Sequence, residues 1–416
     1  MKSASALATG VALMLGAAAS APALAQNKKQ AAAPAQPAKW APKMSPEEVA
    51  ALQGVEKAIN AKDWAAASTA LAAAQPLATS ADARYFVGQY QYTIGQGTNN
   101  EQLQSQGIET IVASGGGDAT KLAPVYRIQG QLAVRAKNYA KAEAAYTRLA
   151  QLAPNDPDVP LRMAEVKYQL KKPREAYSLI QRVIAAQEAT GQAVPEAQYL
   201  FALQSAVDAQ MWPEALTLSK DVVSRSPNPK NWRNALLIFR QSGTVDATQQ
   251  LDTLRLMRAT KSLDNSNEYM VLASQLARGR FYAEAKNVLE EGFASGKLSR
   301  TNADATTIMN EVNPRIASDR AALPGLEARA RAAANGELAT SLANGYFGHG
   351  DYAKAADFYR LALEKGAVDA NLTNSRMGIA LALAGQRAPA EAALKAVTGP
   401  RTALSSYWLL WLAKRG

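Results

Sequence analysis

The sequence contains no cysteine and a single histidine, His349. Without cysteine the chain cannot form a disulfide, a thiolate nucleophile or a lipid-modified cysteine anchor. A single histidine also excludes the His-Glu-x-x-His metalloprotease pair and zinc sites built from several cysteine and histidine ligands. We therefore expect no metal and no cofactor.

Motifs for catalysis are also scarce. A Ser-His-Asp triad would have to use His349, which lies in a glycine-flanked segment where we predict an exposed turn. The stretch from Gly292 to Lys297 resembles a phosphate-binding loop, but three residues separate its two glycines where four are required. Leu298 also stands where serine or threonine would hold magnesium. We predict that the protein is not an enzyme.

The sequence lacks any segment in which apolar and polar residues alternate with a period of two. Valine and isoleucine are scattered through stretches rich in alanine, leucine, glutamine and arginine, which favour helix over strand. From Ala133 to Leu152, apolar and small residues recur at spacings of three and four, and the prolines at 154 and 157 end that segment. We therefore predict an all-α protein.

A pattern of marked positions recurs about every 35 residues. In its clearest copy, Ala142 has a small residue, Gly130, twelve positions before it, and Tyr146 four positions after it. The alanines equivalent to Ala142 are Ala67, Ala176, Ala215, Ala285, Ala355 and Ala390. Three positions before these seven alanines stand Trp64, Tyr139, Pro173, Trp212, Tyr282, Tyr352 and Arg387. Because small residues let two helices approach closely, this period predicts a solenoid of stacked helix pairs.

The pattern resembles the tetratricopeptide repeat, most clearly in segments 137–158 and 349–367. The resemblance implies a right-handed α-solenoid of about ten helix pairs over residues 46–401. In that family, the first helices of the pairs line a concave groove that binds peptides or partner proteins. Units with weak marks should occupy residues 80–115, 230–262 and 297–335. Pro314 and Pro324 interrupt the last of these, so we expect an irregular superhelix there.

The first 45 residues differ in composition from the rest. Residues 1–25 combine Lys2, an apolar segment at 7–19 and an Ala-Leu-Ala cleavage signal ending at Ala25, which predicts a secretory signal peptide. The alternative, a membrane anchor, is disfavoured because the apolar segment is shorter than the roughly 20 residues of a span. Residues 26–45 are rich in alanine, proline and lysine and predict a disordered linker. We expect a periplasmic or secreted protein with no transmembrane segment after cleavage.

The net charge of +11 is unevenly distributed. Residues 1–45 contain five lysines and no acidic residue, so +6 remains on the rest of the chain. Basic and acidic residues alternate there, and no basic block with interleaved aromatic residues suggests binding of single-stranded nucleic acid. We expect no nucleic-acid partner. We expect instead a protein or peptide of the bacterial envelope, with an anionic glycan or acidic lipid headgroups as alternatives.

Candidate ligand-binding residues lie on the predicted first helices of three consecutive units. They are Arg127, Gln131, Arg135, Arg162, Tyr168 and Gln204. The first three are four residues apart and form one stripe. In the related family, a lysine and two asparagines clamp a C-terminal carboxylate. Here Arg127 replaces the lysine, while Gln131 and Arg162 replace the asparagines, so the full clamp is not matched.

This surface has a plain alternative, namely that its residues are ordinary solvated polar side chains of helices. If it does bind a ligand, then Tyr85, Gln89 and Tyr92 on the preceding unit would extend it. A surface of aromatic and glutamine side chains suits a peptide backbone and sugar rings equally well.

Residues 402–416 contain Tyr407, Trp408 and Trp411 among four leucines and are too apolar to stand free. Because a solenoid requires a cap, we predict a C-terminal helix packed over residues 378–397. The alternatives are a dimer contact or a contact with a membrane surface.

The sequence as a whole predicts a periplasmic, non-enzymatic scaffold that binds a protein or peptide partner in its concave groove. The leading alternative is a binder of envelope polysaccharide, or an adaptor in a polysaccharide or outer-membrane assembly complex. A third reading is a glycan hydrolase, which would require two inward-facing carboxylates at catalytic separation.

Overall fold

The computed structural model describes residues 40–243 and 245–415, and within these ranges it contains α-helices and short turns but no β-strand. Consecutive helices pack in pairs, and the pairs stack along the chain, so the predicted all-α solenoid is confirmed. The predicted signal peptide, residues 1–25, lies outside the described residues. The same is true of residues 26–39 of the predicted linker.

Nine helix pairs are present within the described ranges. The first five are α1 (Pro46–Asn60) with α2 (Trp64–Ala74), α3 (Ala81–Gly97) with α4 (Glu101–Ser114), α5 (Leu122–Arg135) with α6 (Tyr139–Leu152), α7 (Asp158–Gln169) with α8 (Pro173–Ala189), and α9 (Glu196–Asp208) with α10 (Trp212–Arg225). Two more are α11 (Pro229–Gln241) with α12 (Ala247–Ala259) and α13 (Ser266–Arg278) with α14 (Tyr282–Ala294). A single helix, α15 (Ala303–Ala332), precedes α16 (Glu337–Gly348) with α17 (Tyr352–Glu364), α18 (Ala370–Leu383) with α19 (Arg387–Lys395), and finally α20 (Thr402–Lys414).

The second helix of seven units begins at the residue that the repeat pattern marks. Those residues are Trp64, Tyr139, Pro173, Trp212, Tyr282, Tyr352 and Arg387. Each of the seven alanines three positions later, from Ala67 to Ala390, is 0% exposed. The sequence pattern therefore identified both the start and the packing face of these helices.

The turn inside eight units has the same backbone conformation. A residue with positive φ lies two positions before the second helix, namely Lys62, Asn99, Lys137, Lys171, Gln210, Arg280, Gly350 or Gly385. The next N–H then donates back to a carbonyl of the first helix, as the Asn138 N–H does to the Ala133 carbonyl at 2.8 Å. This left-handed C-cap ends the first helix and reverses the chain within three residues.

The close approach within a unit is made by a glycine and a side chain. A Cβ added to Gly130 would lie 2.6 Å from ring atoms of Tyr146, and one added to Gly378 would lie 2.6 Å from Leu394. Tyr146 and Leu394 each lie four positions after the marked alanine of their own unit. Gly130 is therefore in closest contact with Tyr146 rather than with Ala142, and this contact explains why the pattern includes the tyrosine.

Helices α3 and α4 approach even more closely. A Cβ on Gly88 would lie 2.7 Å from the Gly107 carbonyl oxygen, and one on Gly107 would lie 2.5 Å from the Tyr92 nitrogen. Their backbones are thus in direct contact, which only glycine permits. These glycines do not occupy the positions that the repeat pattern marks. The sequence therefore predicted this unit only from the gap that it leaves between the marked residues of its neighbours.

The segment predicted as a helix pair at residues 297–335 is instead the single helix α15. Pro314 and Pro324 lie inside it, and both are exposed, so neither ring displaces a neighbouring helix. No residue of α15 has positive φ, so the turn that reverses the chain in the other units is missing. Its buried residues are Ala305, Val312, Leu323 and Ala330.

Helix α12 is enclosed by the C-terminal half of the molecule. Every residue from Leu251 to Met257 is buried, as in a helix covered on all sides. The cover includes α20, which packs on α18 and α19 and also reaches α10 and α12. The hydroxyl oxygens of Ser219 and Tyr407 are 2.7 Å apart although 188 positions separate them. The C-terminal half therefore closes on itself.

A buried cluster of charges fixes α12 within this half. Arg255 donates to Asp252 Oδ1 at 2.9 Å and to both carboxylate oxygens of Glu284 at 3.0 and 2.7 Å. Its guanidinium carbon lies 4.5 Å from the ring centroids of both Phe281 and Phe347. Burial opposes the charge, but Glu284 and Asp252 raise the pKa of Arg255 above its usual value. Removing one partner of such a pair costs about 3–5 kcal/mol.

Candidate functional site

The predicted ligand-binding residues lie on the first helices α5, α7 and α9. On α5, Gln131 and Arg135 are exposed and Arg127 is partly exposed, whereas Gly130 and Ala133 are buried on the other side. The four-residue spacing therefore places the three polar side chains on the accessible side of the helix.

Asp158 joins two of the predicted arginines. Arg127 Nη1 lies 3.3 Å from Asp158 Oδ2, and Arg127 also forms an ion pair with Asp156. From α7, Arg162 Nε lies 3.5 Å from the same Asp158 oxygen, and its Nη1 lies 3.2 Å from Glu165 Oε2. Burial opposes the charge of Arg162, but Glu165 and Asp158 raise its pKa above the usual value. Two guanidinium groups thus share a cluster with three carboxylates.

Asp208 joins two further predicted residues. The Tyr168 hydroxyl donates to Asp208 Oδ2 at 2.6 Å, and Gln204 Nε2 donates to Asp208 Oδ1 at 2.8 Å. The hydrogen bond to Asp208 and partial burial raise the pKa of Tyr168. The Tyr168 ring also packs edge-on against Phe201 with centroids 5.5 Å apart. Helices α7 and α9 are therefore linked through the exposed carboxylate of Asp208. Among the described residues, no lysine, arginine or histidine forms an ion pair with it.

Arg135 and Gln131 stand apart from these two clusters. Arg135 Nη1 lies 3.4 Å from Glu101 Oε1, and both side chains are about two-thirds exposed, at 63% and 66%. Such an exposed pair contributes little to stability. The structure thus brings Arg127 together with Arg162, and Tyr168 together with Gln204, but it leaves Arg135 outside both clusters.

The surface carries more acidic groups than the sequence suggested. Three arginines pair with four carboxylates, which are Glu101, Asp156, Asp158 and Glu165, and a fifth carboxylate, Asp208, is bound by Tyr168 and Gln204. Asp158 and Asp208 were missed, although each lies four positions from a predicted residue, Arg162 and Gln204 respectively. That spacing on a helix was the available signal. The surface is therefore of mixed charge and not a cationic stripe.

The extension of this surface to Tyr85 is wrong, because Tyr85 is only 2% exposed. Trp40 covers its ring, with centroids 5.9 Å apart in an edge-on arrangement, and Gln89 donates to its hydroxyl at 2.9 Å. Burial raises the pKa of Tyr85. Its ring thus fixes the segment before α1 and does not line a groove.

The expectation that His349 is an exposed turn residue is also wrong. Its side chain is 3% exposed, and Nε2 lies 2.9 Å from Asp319 Oδ2 on α15. The long helix covers the turn, which the sequence could not show because the segment of α15 was expected to form two helices. The pair holds α15 against the end of α16.

Two further features bear on function. In the part of the chain that the structure describes, no group of three or more histidine, aspartate or glutamate side chains has the arrangement of a metal site. No helix in that part is long and apolar enough to cross a membrane.

The family relationship follows from a sequence match to units three to five. Residues 133–198 match the family described as tetratricopeptide repeat, over helices α6 to α8 and the ends of their neighbours. These residues carry the tetratricopeptide repeat. Tetratricopeptide repeats form scaffolds for protein interaction and are generally not enzymes. No curated protein matches the sequence.

Several solved tetratricopeptide-repeat structures are similar to the chain. One is a tetratricopeptide repeat protein from Parabacteroides merdae, with 11% identity, a TM-score of 0.32, and coverage of 64% of this chain and 99% of that one. PilF of Pseudomonas aeruginosa has 17% identity, a TM-score of 0.26 and coverage of 56% and 91%. The TPR2AB domain of yeast Sti1, solved as a complex with pHSP90, has 12% identity, a TM-score of 0.25 and coverage of 71% and 95%.

Proposed function

We propose that this protein is a non-catalytic scaffold of the bacterial envelope that binds an extended segment of a partner protein across α5, α7 and α9. The observation that carries the proposal is the pair of clusters around Asp158 and Asp208 on consecutive first helices. Each cluster is partly exposed and presents both donors and acceptors to solvent.

The partner segment should carry charges of both signs. An anionic ligand alone would have to displace Asp156 and Asp158 from Arg127, and would approach the unpaired carboxylate of Asp208. A peptide with a basic side chain near Asp208 and an acidic one near Arg127 would replace these contacts one for one. Complementary charges of this kind set register and association rate more than affinity.

The envelope location rests on the sequence of residues 1–25, with its short basic start, apolar segment and Ala-Leu-Ala signal. An exported chain without cysteine needs no disulfide formation, and a long helical solenoid is stabilised by its continuous core instead. An envelope polysaccharide is the second candidate ligand, and the test below separates the two.

The test is affinity capture from an envelope extract with the purified protein as bait, followed by mass spectrometry and glycan analysis. Three variants are compared with the wild type: Arg127→Ala with Arg162→Ala, Asp208→Asn, and the control Arg148→Ala on the exposed side of the second helix α6. We expect one captured protein that both groove variants lose and the control retains, with unchanged circular dichroism throughout.

Other outcomes would contradict the proposal in different ways. Tighter capture by Asp208→Asn together with loss by the arginine variant would show a purely anionic ligand. Recovery of glycan in place of protein would support the polysaccharide binder. Equal capture by all variants would place the partner elsewhere on the molecule.

A further inference from the structure

A second candidate site lies in a cleft between the second helices α2 and α4, with α3 at its base. The cleft has a volume of about 510 Å³, within the roughly 300–1,000 Å³ typical of small-molecule sites. It is formed by the first two units, so it shares no residue with the clusters on α5, α7 and α9. Any function of this cleft is independent of the proposed partner groove.

Gln91, at the base of the cleft, has a buried side-chain oxygen that no described residue pairs. The residue is 8% exposed, and its Oε1 is buried without a hydrogen bond from any described residue. Buried polar groups are nearly always hydrogen-bonded, because leaving one unpaired destabilises the fold. The backbone contact of α3 with α4 at Gly88 and Gly107 holds Gln91 in this position. Burial places Oε1 beyond the reach of a ligand in the cleft, so the Gln91 amide can bind a ligand only through its Nε2 donor.

Two more carboxamides line the same cleft. Gln75 follows α2 and Gln106 lies on α4, and both are exposed. Among the described residues, neither side chain has a hydrogen-bond partner, so both of these exposed carboxamides are available to a ligand. Glu109 also lines the cleft, but Lys141 and the Ser105 hydroxyl already bind its carboxylate. The cleft thus offers neutral donors and acceptors and no free charge.

The chemistry of these groups selects a class of ligand. Each carboxamide offers a donor and an acceptor side by side, and each sugar hydroxyl also donates and accepts. Leu71 and Leu103 supply apolar wall against which the C–H face of a sugar ring can pack. The lining residues include no aromatic or arginine side chain and no unpaired charge, so the cleft suits a small neutral ligand rich in hydroxyl groups. We propose that this cleft binds a neutral sugar unit of one or two rings.

The proposal is tested by saturation-transfer-difference NMR with the full chain and three disaccharides: maltose, cellobiose and N,N′-diacetylchitobiose. We expect saturable binding of at least one of them in the millimolar range. Gln106→Ala should weaken that binding about fivefold, the loss typical of one or two hydrogen bonds. Gln102→Ala is the matched control, since Gln102 is exposed on α4 outside the cleft.

Gln91→Leu separates a binding role from a structural one. If the amide is retained for a ligand, this variant should lose the disaccharide and melt at a higher temperature than wild type, because an unpaired buried polar group has been removed. A lower melting temperature with unchanged binding would show that Gln91 is structural. Absence of binding of all three disaccharides to wild type, or equal binding by Gln106→Ala and wild type, would overturn the proposal.

Discussion

At the scale of single residues, Lys137 occupies a backbone conformation that only glycine adopts freely, with φ of 55°. Glycine removes the steric cost of about 1–2 kcal/mol that a side chain has in the left-handed conformation. It also gives the unfolded chain more conformational entropy, which offsets a smaller part of that gain. We therefore expect Lys137→Gly to stabilise the protein by up to about 1 kcal/mol in denaturant unfolding. Lys141→Gly, four positions later inside α6, should destabilise it by about 1 kcal/mol.

Glu48 makes the protein sensitive to acid. Its carboxylate accepts five hydrogen bonds, from Ser45, Thr79 and Ser80, and joins α1 to the start of α3. The N–H groups of Ser80 and Ser45 lower the pKa of Glu48 from 4.5 to about 2. Because the folded-state pKa is the lower one, its contribution is present above about pH 4.5 and is lost as the pH falls towards 2.

Glu48→Gln should therefore reduce the unfolding free energy at pH 7 by about 1–3 kcal/mol. It should also flatten the dependence of stability on pH between 4.5 and 2, measured by urea unfolding at a series of pH values. The neighbouring exposed Glu47, changed to glutamine, is the control. An unchanged acid profile in Glu48→Gln would show that other carboxylates govern this range.

The repeat register can be tested at Ala142. Its side chain is 0% exposed in α6, whereas Ala140 on the same helix is exposed. Ala142→Leu should lower stability by roughly 1–3 kcal/mol through overpacking, and Ala140→Leu should change it by less than about 0.5 kcal/mol. Equal melting temperatures of the two variants would contradict the register.

The burial of a residue was predicted correctly where it depends only on contacts within the residue's own helix pair. The marked alanines are buried because each meets its own first helix at a fixed distance along the chain. The contacts of Asp158 with Arg127, of Asp208 with Tyr168 and of His349 with Asp319 join different helices, whose relative positions the local pattern does not encode. Only the four-residue spacings to Arg162 and Gln204 were available from the sequence. The candidate site was therefore found as a list of donors, without the acceptors that surround them.

At the scale of elements, α12 and α15 are where the sequence predicted least. A weakly marked unit was expected over residues 230–262, but the burial of α12 on all sides follows from the later helices that pack around it. In α15 two prolines suggested a break, yet the chain continues because both prolines are exposed and no left-handed turn residue is present. Turn geometry, more than proline, decides where a unit reverses.

Helix α20 should control the protection of α12. Trp408 is 0% exposed, and truncation of a buried tryptophan costs about 3–5 kcal/mol. We expect Trp408→Ala to increase hydrogen exchange in α10 and α12 while α1 to α6 keep wild-type exchange. Lys414→Ala, at the exposed end of α20, should leave both unchanged. Equal hydrogen exchange of α10 and α12 in Trp408→Ala and in the wild type would refute a covering role for α20.

At the scale of the whole molecule, the two halves are stabilised differently. Buried apolar residues from Val223 to Leu412 form one continuous cluster. Those between Leu52 and Ile238 form four smaller ones. The solenoid was predictable because its contacts are local and repeat. The closure of the C-terminal half was not, because it depends on contacts such as that of Ser219 with Tyr407.

The proposed export makes a prediction for the whole chain. Residues 1–25 carry the Ala-Leu-Ala signal, so the protein recovered from the periplasm should begin at Gln26. Intact-mass measurement should show the loss of those 25 residues. Recovery with Met1 retained would contradict both the cleavage site and the envelope location on which the proposed partner depends.

The contact of Tyr407 with Ser219 has a consequence for the order in which the chain folds. A chain that emerges from a ribosome or translocon presents its N-terminal units first, and their local clusters can form as they appear. We expect α12 to keep part of its apolar surface exposed until α20, the last of its neighbours to be made, packs against it. A chain that ends before α20 should therefore expose apolar surface of α10 and α12 and be degraded faster than the full chain.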